Sequence, residues 1–320
     1  LEYAVWVPFD ALEPGAEIAI LSPSFAVLSS QQLVDAQEEV SASGFVPVVM
    51  PHASGTYGYL AGTDEDRAAD IMAAFLNPEI RAIWCVRGGY GAARALPYLD
   101  FDLIGQNPKP LVGYSDHTAL QLALLAQSEL PSFHGVFRRP NIDSPSARLL
   151  QSIYVDSRPV VVLPLAEVAA EVDCGEPVIL VEGSATGRLI GGNLTVFQSL
   201  LGTSYMPSFD GAILYFEDVH EAPYRVDRML NQLRQQGIMD RVAGLLLGQF
   251  TYDRAAVRAR PGPEDDGPYD MDSVLRDAVR GLTIPVVANL PFGHVKNQLT
   301  LVQGATATVS TSPLSLTMTI

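Results

Sequence analysis

The chain has 320 residues, 48% of them apolar and 18% charged, with 26 glycines and 23 prolines. That balance suits a globular protein of two compact domains rather than a disordered or fibrous chain. A net charge of −16 argues against nucleic acid or an anionic membrane as partner, because both repel an acidic surface.

In chain order, the opening run Leu1–Trp6 lacks the basic segment and long apolar core of a signal peptide. No later apolar stretch approaches the roughly 18 residues of a membrane span. The cytoplasm is therefore the expected compartment, although a leucine start leaves a processed terminus open. Glu17–Leu21 predicts a short strand, closed by the Ser22-Pro23-Ser24 turn. Ser29–Ser43 predicts a helix, capped by Ser29 or Ser30 and ended at Gly44. A strand at Pro47–Met50 and a polar loop to Gly62 precede Thr63-Asp64-Glu65-Asp66, which resembles a capping box for a helix to Leu76. Ile80–Val86 reads as a strand buried on both faces, and Cys85 within it as an inert buried thiol. Pro110–Gly113 predicts another strand, followed by Ser115 and an apolar helix from about Asp116 to Gln127.

From Ser157 to Pro177 the pattern loosens into strand-like and acidic loop segments, so the domain boundary is placed there. Residues 1–160 then form one domain and 161–320 a second. In the second, Val178–Val181, Ala212–Glu217, Ala243–Gln249 and Pro285–Asn289 predict strands, and Asn193–Leu201, Tyr224–Gln236 and Met271–Arg280 helices. Arg254–Pro268 reads as an exposed loop, and Leu299–Ile320 as half-exposed antiparallel strands. The fold class expected is α/β: an N-terminal parallel sheet with flanking helices, then a mixed α/β domain rich in β-strands.

Ser115 stands where a strand turns into a helix, beside fresh helix N–H groups that can stabilise an oxyanion. A Ser-Asp pair opening a helix is also an ordinary cap. The match to a G-x-S-x-G elbow is partial, since His117 takes the second glycine's place. Arg87-Gly88-Gly89-Tyr90-Gly91 follows the buried strand and brings backbone N–H groups to the same strand-end crevice. It fits neither a dinucleotide fingerprint nor a P-loop; a tight turn without a ligand is an equal reading. Five histidines, at 52, 117, 134, 220 and 294, compete for a general base. His117 is poorly placed to serve Ser115, because helix positions two apart do not face each other. Glu217 closes an apolar strand and could orient an imidazole, or simply be a surface acid. The two cysteines, Cys85 and Cys174, cannot make a disulfide framework, and no H-E-x-x-H or H-x-H spacing suggests a metal.

Taken together, several runs resemble one family, the LD-carboxypeptidase and microcin-immunity group of serine peptidases. They are Tyr59-Leu60-Ala61-Gly62-Thr63-Asp64, Val86–Gly91, Asn107-Pro108-Lys109 leading into Gly113–Asp116, and Phe133-His134-Gly135. The order continues through Gly191-Gly192-Asn193-Leu194, Phe216-Glu217-Asp218, Pro223–Arg228 and Gly293-His294. The resemblance implies Ser115 as nucleophile, His294 as general base, Glu217 as its orienter, and the Gly89 and Asp116 amides as oxyanion hole. It implies no cofactor, a homodimer, and hydrolysis of the L,D-amide between meso-diaminopimelate or lysine and terminal D-alanine of murein tetrapeptides. The same family includes peptidases of peptidyl-nucleotides. Exopeptidase action also needs a partner for the terminal carboxylate; Arg87 is a candidate, a buried structural ion pair being its alternative reading. His117 and Val136 depart from the family's usual residues. A non-catalytic nucleotide- or peptide-binding protein is the alternative of another class, and an amidotransferase-like fold that has lost its cysteine nucleophile a further one.

Overall fold

The computed structural model describes residues 9–137, 144–152, 156, 160–252 and 270–319. The opening run 1–6 and the loop expected at 254–268 lie outside them. The strands are β1 (Glu17–Leu21), β2 (Val46–Val49), β3 (Ile80–Cys85), β4 (Leu111–Gly113), β5 (Ser132–His134), β6 (Val160–Pro164) and β7 (Val178–Val181). They continue with β8 (Ser184–Asn193), β9 (Ile213–Val219), β10 (Gly244–Thr251), β11 (Val286–Ala288), β12 (Leu301–Gln303), β13 (Thr306–Thr311) and β14 (Leu314–Thr319). The helices are α1 (Ser30–Ala42), α2 (Asp64–Leu76), α3 (Ala92–Ala95), α4 (Phe101–Gln106), α5 (Thr118–Ser128) and α6 (Pro145–Leu150). After these come α7 (Leu165–Val172), α8 (Leu194–Leu200), α9 (Pro223–Gln235) and α10 (Met271–Ala278).

One sheet runs in the order β12-β5-β4-β3-β1-β2. Its first five strands in sequence are parallel, as alternating strands and helices require. The sixth, β12, comes from the far end of the chain and lies antiparallel to β5. The other sheet runs β6-β14-β13-β8-β9-β10-β11-β7. A parallel block, β8 to β11, sits inside antiparallel flanks.

Local chemistry explains several element ends. The Thr63 hydroxyl accepts from Asp66 N–H and the Asp66 carboxylate from Thr63 N–H, so the expected capping box is formed. Ser29 occupies the cap of α1 without any side-chain bond. One expectation needs correction, and one run without an assignment proves regular. The stretch from Ser157 to Pro177 holds a regular helix, α7, whose Leu165, Val168, Ala169 and Val172 are buried. The run Ser184–Asn193, left unassigned by its glycines, is the longest strand described, β8.

Besides the β12–β5 pairing, packing and a backbone bond join the halves. Leu120, Leu124, Ile190, Leu194, Phe197 and Leu214 belong to one buried apolar cluster, each side chain adding about 1.5–3 kcal/mol by burial. Gly192 lies so close to α5 that a β-carbon there would stand 2.5 Å from Thr118 Oγ1. The next residue, Asn193, donates its N–H to that hydroxyl at 3.0 Å.

Candidate active site

β4 ends at Gly113. Tyr114 continues extended, and Ser115 then turns into the left-handed region at φ 64°. For a residue with a β-carbon this costs on the order of 1 kcal/mol. Ser115–His117 form a single 3-10 turn leading into α5, whose α-helical part starts at Thr118, two residues later than expected.

The glycine loop after β3 lies against this turn. A β-carbon on Gly88 would stand 3.0 Å from Ser115 Cβ, 3.1 Å from its Oγ and 3.6 Å from Asp116 N. The two residues after the serine hold that loop at both ends. Asp116 Oδ2 accepts from Ala92 N–H at 2.8 Å and from the Ser24 hydroxyl at 2.6 Å. His117 Nε2 pairs with the Arg87 carbonyl at 2.9 Å, so it must carry the proton there. Buried Arg67 adds a third brace, donating to Pro23 O and to Gly91 O. The Ser115 turn and the glycine loop are therefore tied into one unit.

Glu217 projects from β9 opposite Asn193. The strand continues to Val219, so Glu217 lies inside it rather than at its end, and it is fully buried. Beside it, β10 bulges between Leu247 and Phe250, a device that re-aims chain near active sites. The bulge residue Gln249 takes the Phe292 carbonyl on its N–H at 2.9 Å and so ties down the loop carrying His294. Gly293 has φ 110°, and a β-carbon there would meet Glu217 Cβ at 2.8 Å. The outcome is a bond between His294 Nδ1 and Glu217 Oε2 of 2.7 Å. Burial pulls the His294 pKa down, but this bond and the charges of Glu217 and Asp218 outweigh it and raise the ring above its ordinary value.

The His294 ring packs against Tyr114, the neighbour of Ser115, with centroids 5.1 Å apart. Glu217 and His294 are thus joined, and His294 lies beside the Ser115 turn. No hydrogen bond links Ser115 Oγ to His294 among the described residues. Arg87 makes no ion pair with a described residue, and its buried Nε has no partner.

The other histidines fall elsewhere. His52 bonds Asp70 at 2.8 Å, and exposed His220 caps the end of β9 through its N–H to Thr251 O. His134 is the surprise: buried at the end of β5, its Nε2 lies 3.8 Å from Glu217 Oε1. In the sequence His134 is one of five candidate bases, and nothing there pairs it with Glu217. Its position at the end of a strand neighbouring β4 was the available signal. Asp218 is also buried, accepting from Asn193 Nδ2 and from the Thr195 N–H and hydroxyl; burial pushes it up to about 6. Cys85 is buried, which raises its thiol well above the ordinary value and makes it a poor nucleophile.

Comparison with known proteins covers both halves. Residues 18–135 match the LD-carboxypeptidase N-terminal domain and residues 186–309 the LD-carboxypeptidase C-terminal domain. The murein tetrapeptide carboxypeptidase of Pseudomonas aeruginosa is 30% identical over 296 residues, covering 90% of each chain. The microcin C7 self-immunity protein MccF of Escherichia coli is 28% identical over 291 residues, covering 83% of this chain and 82% of its own. Among solved structures, the muramoyltetrapeptide carboxypeptidase of Oxalobacter formigenes superposes with a TM-score of 0.77 at 30% identity, over 95% of this chain and 99% of the other. MccF bound to glutamyl sulfamoyl guanosine gives 0.81 at 25% identity over 98% of each. With matches along both halves, on the fold as well as the sequence, the chain belongs to the LD-carboxypeptidase family.

Proposed function

We propose that the protein is a serine carboxypeptidase that removes terminal D-alanine from murein tetrapeptides by acyl transfer. The observation that carries this reading is the fully buried Glu217 bonded at 2.7 Å to His294, whose ring rests beside the strained Ser115 turn. A carboxylate so placed fixes the imidazole tautomer, with Nδ1–H toward Glu217 and Nε2 free to take a proton. In this reading the first domain, residues 1–160, supplies the nucleophile and the second, residues 161–320, the base and its orienter.

Ser115 Oγ attacks the amide carbonyl between the L-centre of diaminopimelate or lysine and D-alanine, giving its proton to His294 Nε2. The N–H groups of Gly89 and Asp116 stabilise the oxyanion, each worth roughly 3–4 kcal/mol in comparable sites. The intermediate collapses as His294 protonates the departing amine, and free D-alanine leaves. Water, deprotonated by the same imidazole, then releases the tripeptide from Ser115. The Ser115–His294 hydrogen bond is completed when substrate fills the site, as catalytic contacts commonly tighten on binding. Arg87 is the proposed partner of the terminal carboxylate, since its buried Nε is left without an acceptor.

MccF-type cleavage of a peptidyl-nucleotide amide is the second reading, favoured by the fit to MccF over nearly the whole chain. Incubating the protein, with chelator present, separately with a D-alanine-terminated tetrapeptide and with a glutamyl sulfamoyl nucleoside separates the two. D-Alanine release is the expected result. Cleavage of the nucleoside conjugate alone reverses the substrate assignment, and tight binding of either without turnover makes the chain a binding protein.

A further inference from the structure

Glu217 has two oxygens, and His294 uses one. Oε2 accepts from His294, while Oε1, fully buried, has no hydrogen-bond partner. Across from it stands His134 Nε2, equally buried and equally unpartnered, 3.8 Å away. That gap is too long for a hydrogen bond and too short for an unstrained bridging water, whose two hydrogen bonds at a near-tetrahedral angle span about 4.5 Å.

Gln121 decides which hydrogen His134 carries. Its Nε2 reaches two backbone carbonyls, Gly113 O at 2.9 Å and Phe133 O at 2.8 Å. Only the NH2 end of an amide can satisfy both, so its oxygen faces His134 Nδ1, at 3.1 Å. An amide oxygen only accepts, so the proton of His134 sits on Nδ1 and Nε2 is a bare lone pair. Two lone pairs then confront each other at 3.8 Å, which accounts for the separation. Burial, with His294 and His117 nearby, keeps a second proton off the ring, against the pull of Glu217, down to about pH 4.

We propose that Gln121 and His134 are positioning residues that withhold a hydrogen bond from Glu217, so that its charge is delivered undivided to His294. The proposal rests on the triad reading and deepens it. A donor on Oε1 would share the carboxylate's charge and weaken its hold on the His294 imidazolium. The groups facing His294 are Glu217 and Asp218 of β9, Tyr114 of the nucleophile turn, and, behind Glu217, His134, His117 and the buried Tyr215 ring. Changing residue 134 alters the hydrogen bonding of Glu217 and of Gln121 Oε1 and substitutes none of the other groups that face His294.

The test is NMR on the full-length, 15N-labelled protein without substrate. Two-bond 1H–15N spectra at neutral pH should show His134 as the Nδ1–H tautomer; an Nε2–H signal overturns the proposal even if no variant folds. His134→Gln puts an amide donor where Nε2 was, and His134→Phe puts none. The His294 titration midpoint should fall by about one unit in His134→Gln and stay near the wild-type value in His134→Phe. Equal midpoints in wild type and His134→Gln, or an equal fall in both variants, refute it. Neither readout needs turnover, so a failure to cleave murein peptides would sink the functional reading while leaving this one standing.

Discussion

Gly293→Ala puts the geometry of the site under the most direct stress. At φ 110° a new side chain is strained, costing about 1–2 kcal/mol. Its β-carbon would lie 2.8 Å from Glu217 Cβ, 3.0 Å from Oε2 and 3.2 Å from Gln249 O. None of these can yield cheaply: Glu217 is fully buried, and Gln249 is held by Phe292 on one side and by Asn289 and Leu290 on the other. Overpacking of this kind costs about 1–3 kcal/mol. The entropy lost from the unfolded chain returns only about 0.4–1 kcal/mol. The expected net loss is therefore about 3 kcal/mol in urea unfolding. Because Oε2 is the atom that receives His294, the imidazole should be displaced as well, and a shift near 1 Å costs about 100-fold in kcat. Urea denaturation and D-alanine release measure the two effects on the same preparation. A variant of wild-type stability with kcat within twofold would refute the reasoning.

Other expectations follow from individual groups. In the proposed mechanism His294 acts as a neutral base, and its pKa is raised above 6.5, so kcat/KM should climb with pH through a limb lying above that value; Glu217→Gln should move the limb down and lower kcat. A limb unmoved by Glu217→Gln would contradict the role given to the carboxylate. His134 is held neutral down to about pH 4 from 6.5, so the unfolded chain binds its proton first as pH falls. That lowers stability progressively between those pH values, by about 3 kcal/mol in all. Relative to wild type, His134→Phe should regain that amount between pH 7 and pH 4, measured by urea unfolding; parallel pH curves would disprove it. Asp116→Asn weakens the clamp on Ala92 N–H and Ser24 and should reduce kcat more than KM, by about 10- to 100-fold; an unchanged kcat would show that the glycine loop holds its shape unaided.

Much of this arrangement was legible in the sequence, for local reasons. Short apolar runs ending in turn residues marked β1, β3 and β4, so Ser115 and the Gly88–Gly91 loop could be assigned to neighbouring strand ends. Glu217 and His294 were legible as strand-linked polar residues, but singling them out from other acids and histidines needed the family resemblance. The rest depended on long-range pairing. His134 meets Glu217 only because β5 and β9 belong to sheets packed together, and no periodicity encodes that. β8 has no clear strand pattern in the sequence because glycines occupy positions 187, 191 and 192, where Gly192 serves close approach to Thr118. α7 was missed because an eight-residue helix in acidic surroundings shows too few turns for its apolar stripe to stand out. β12 was expected as a tail strand, yet its pairing with β5 depends on chain crossing that local pattern does not carry.

The central claim is that Ser115 performs the chemistry. Measuring D-alanine released from a murein tetrapeptide by wild type and by Ser115→Ala, with unfolding curves confirming equal stability, tests it most directly. The account predicts ready release by wild type and a fall of about 10⁴-fold or more in kcat for the variant. Release by Ser115→Ala within tenfold of wild type would contradict it.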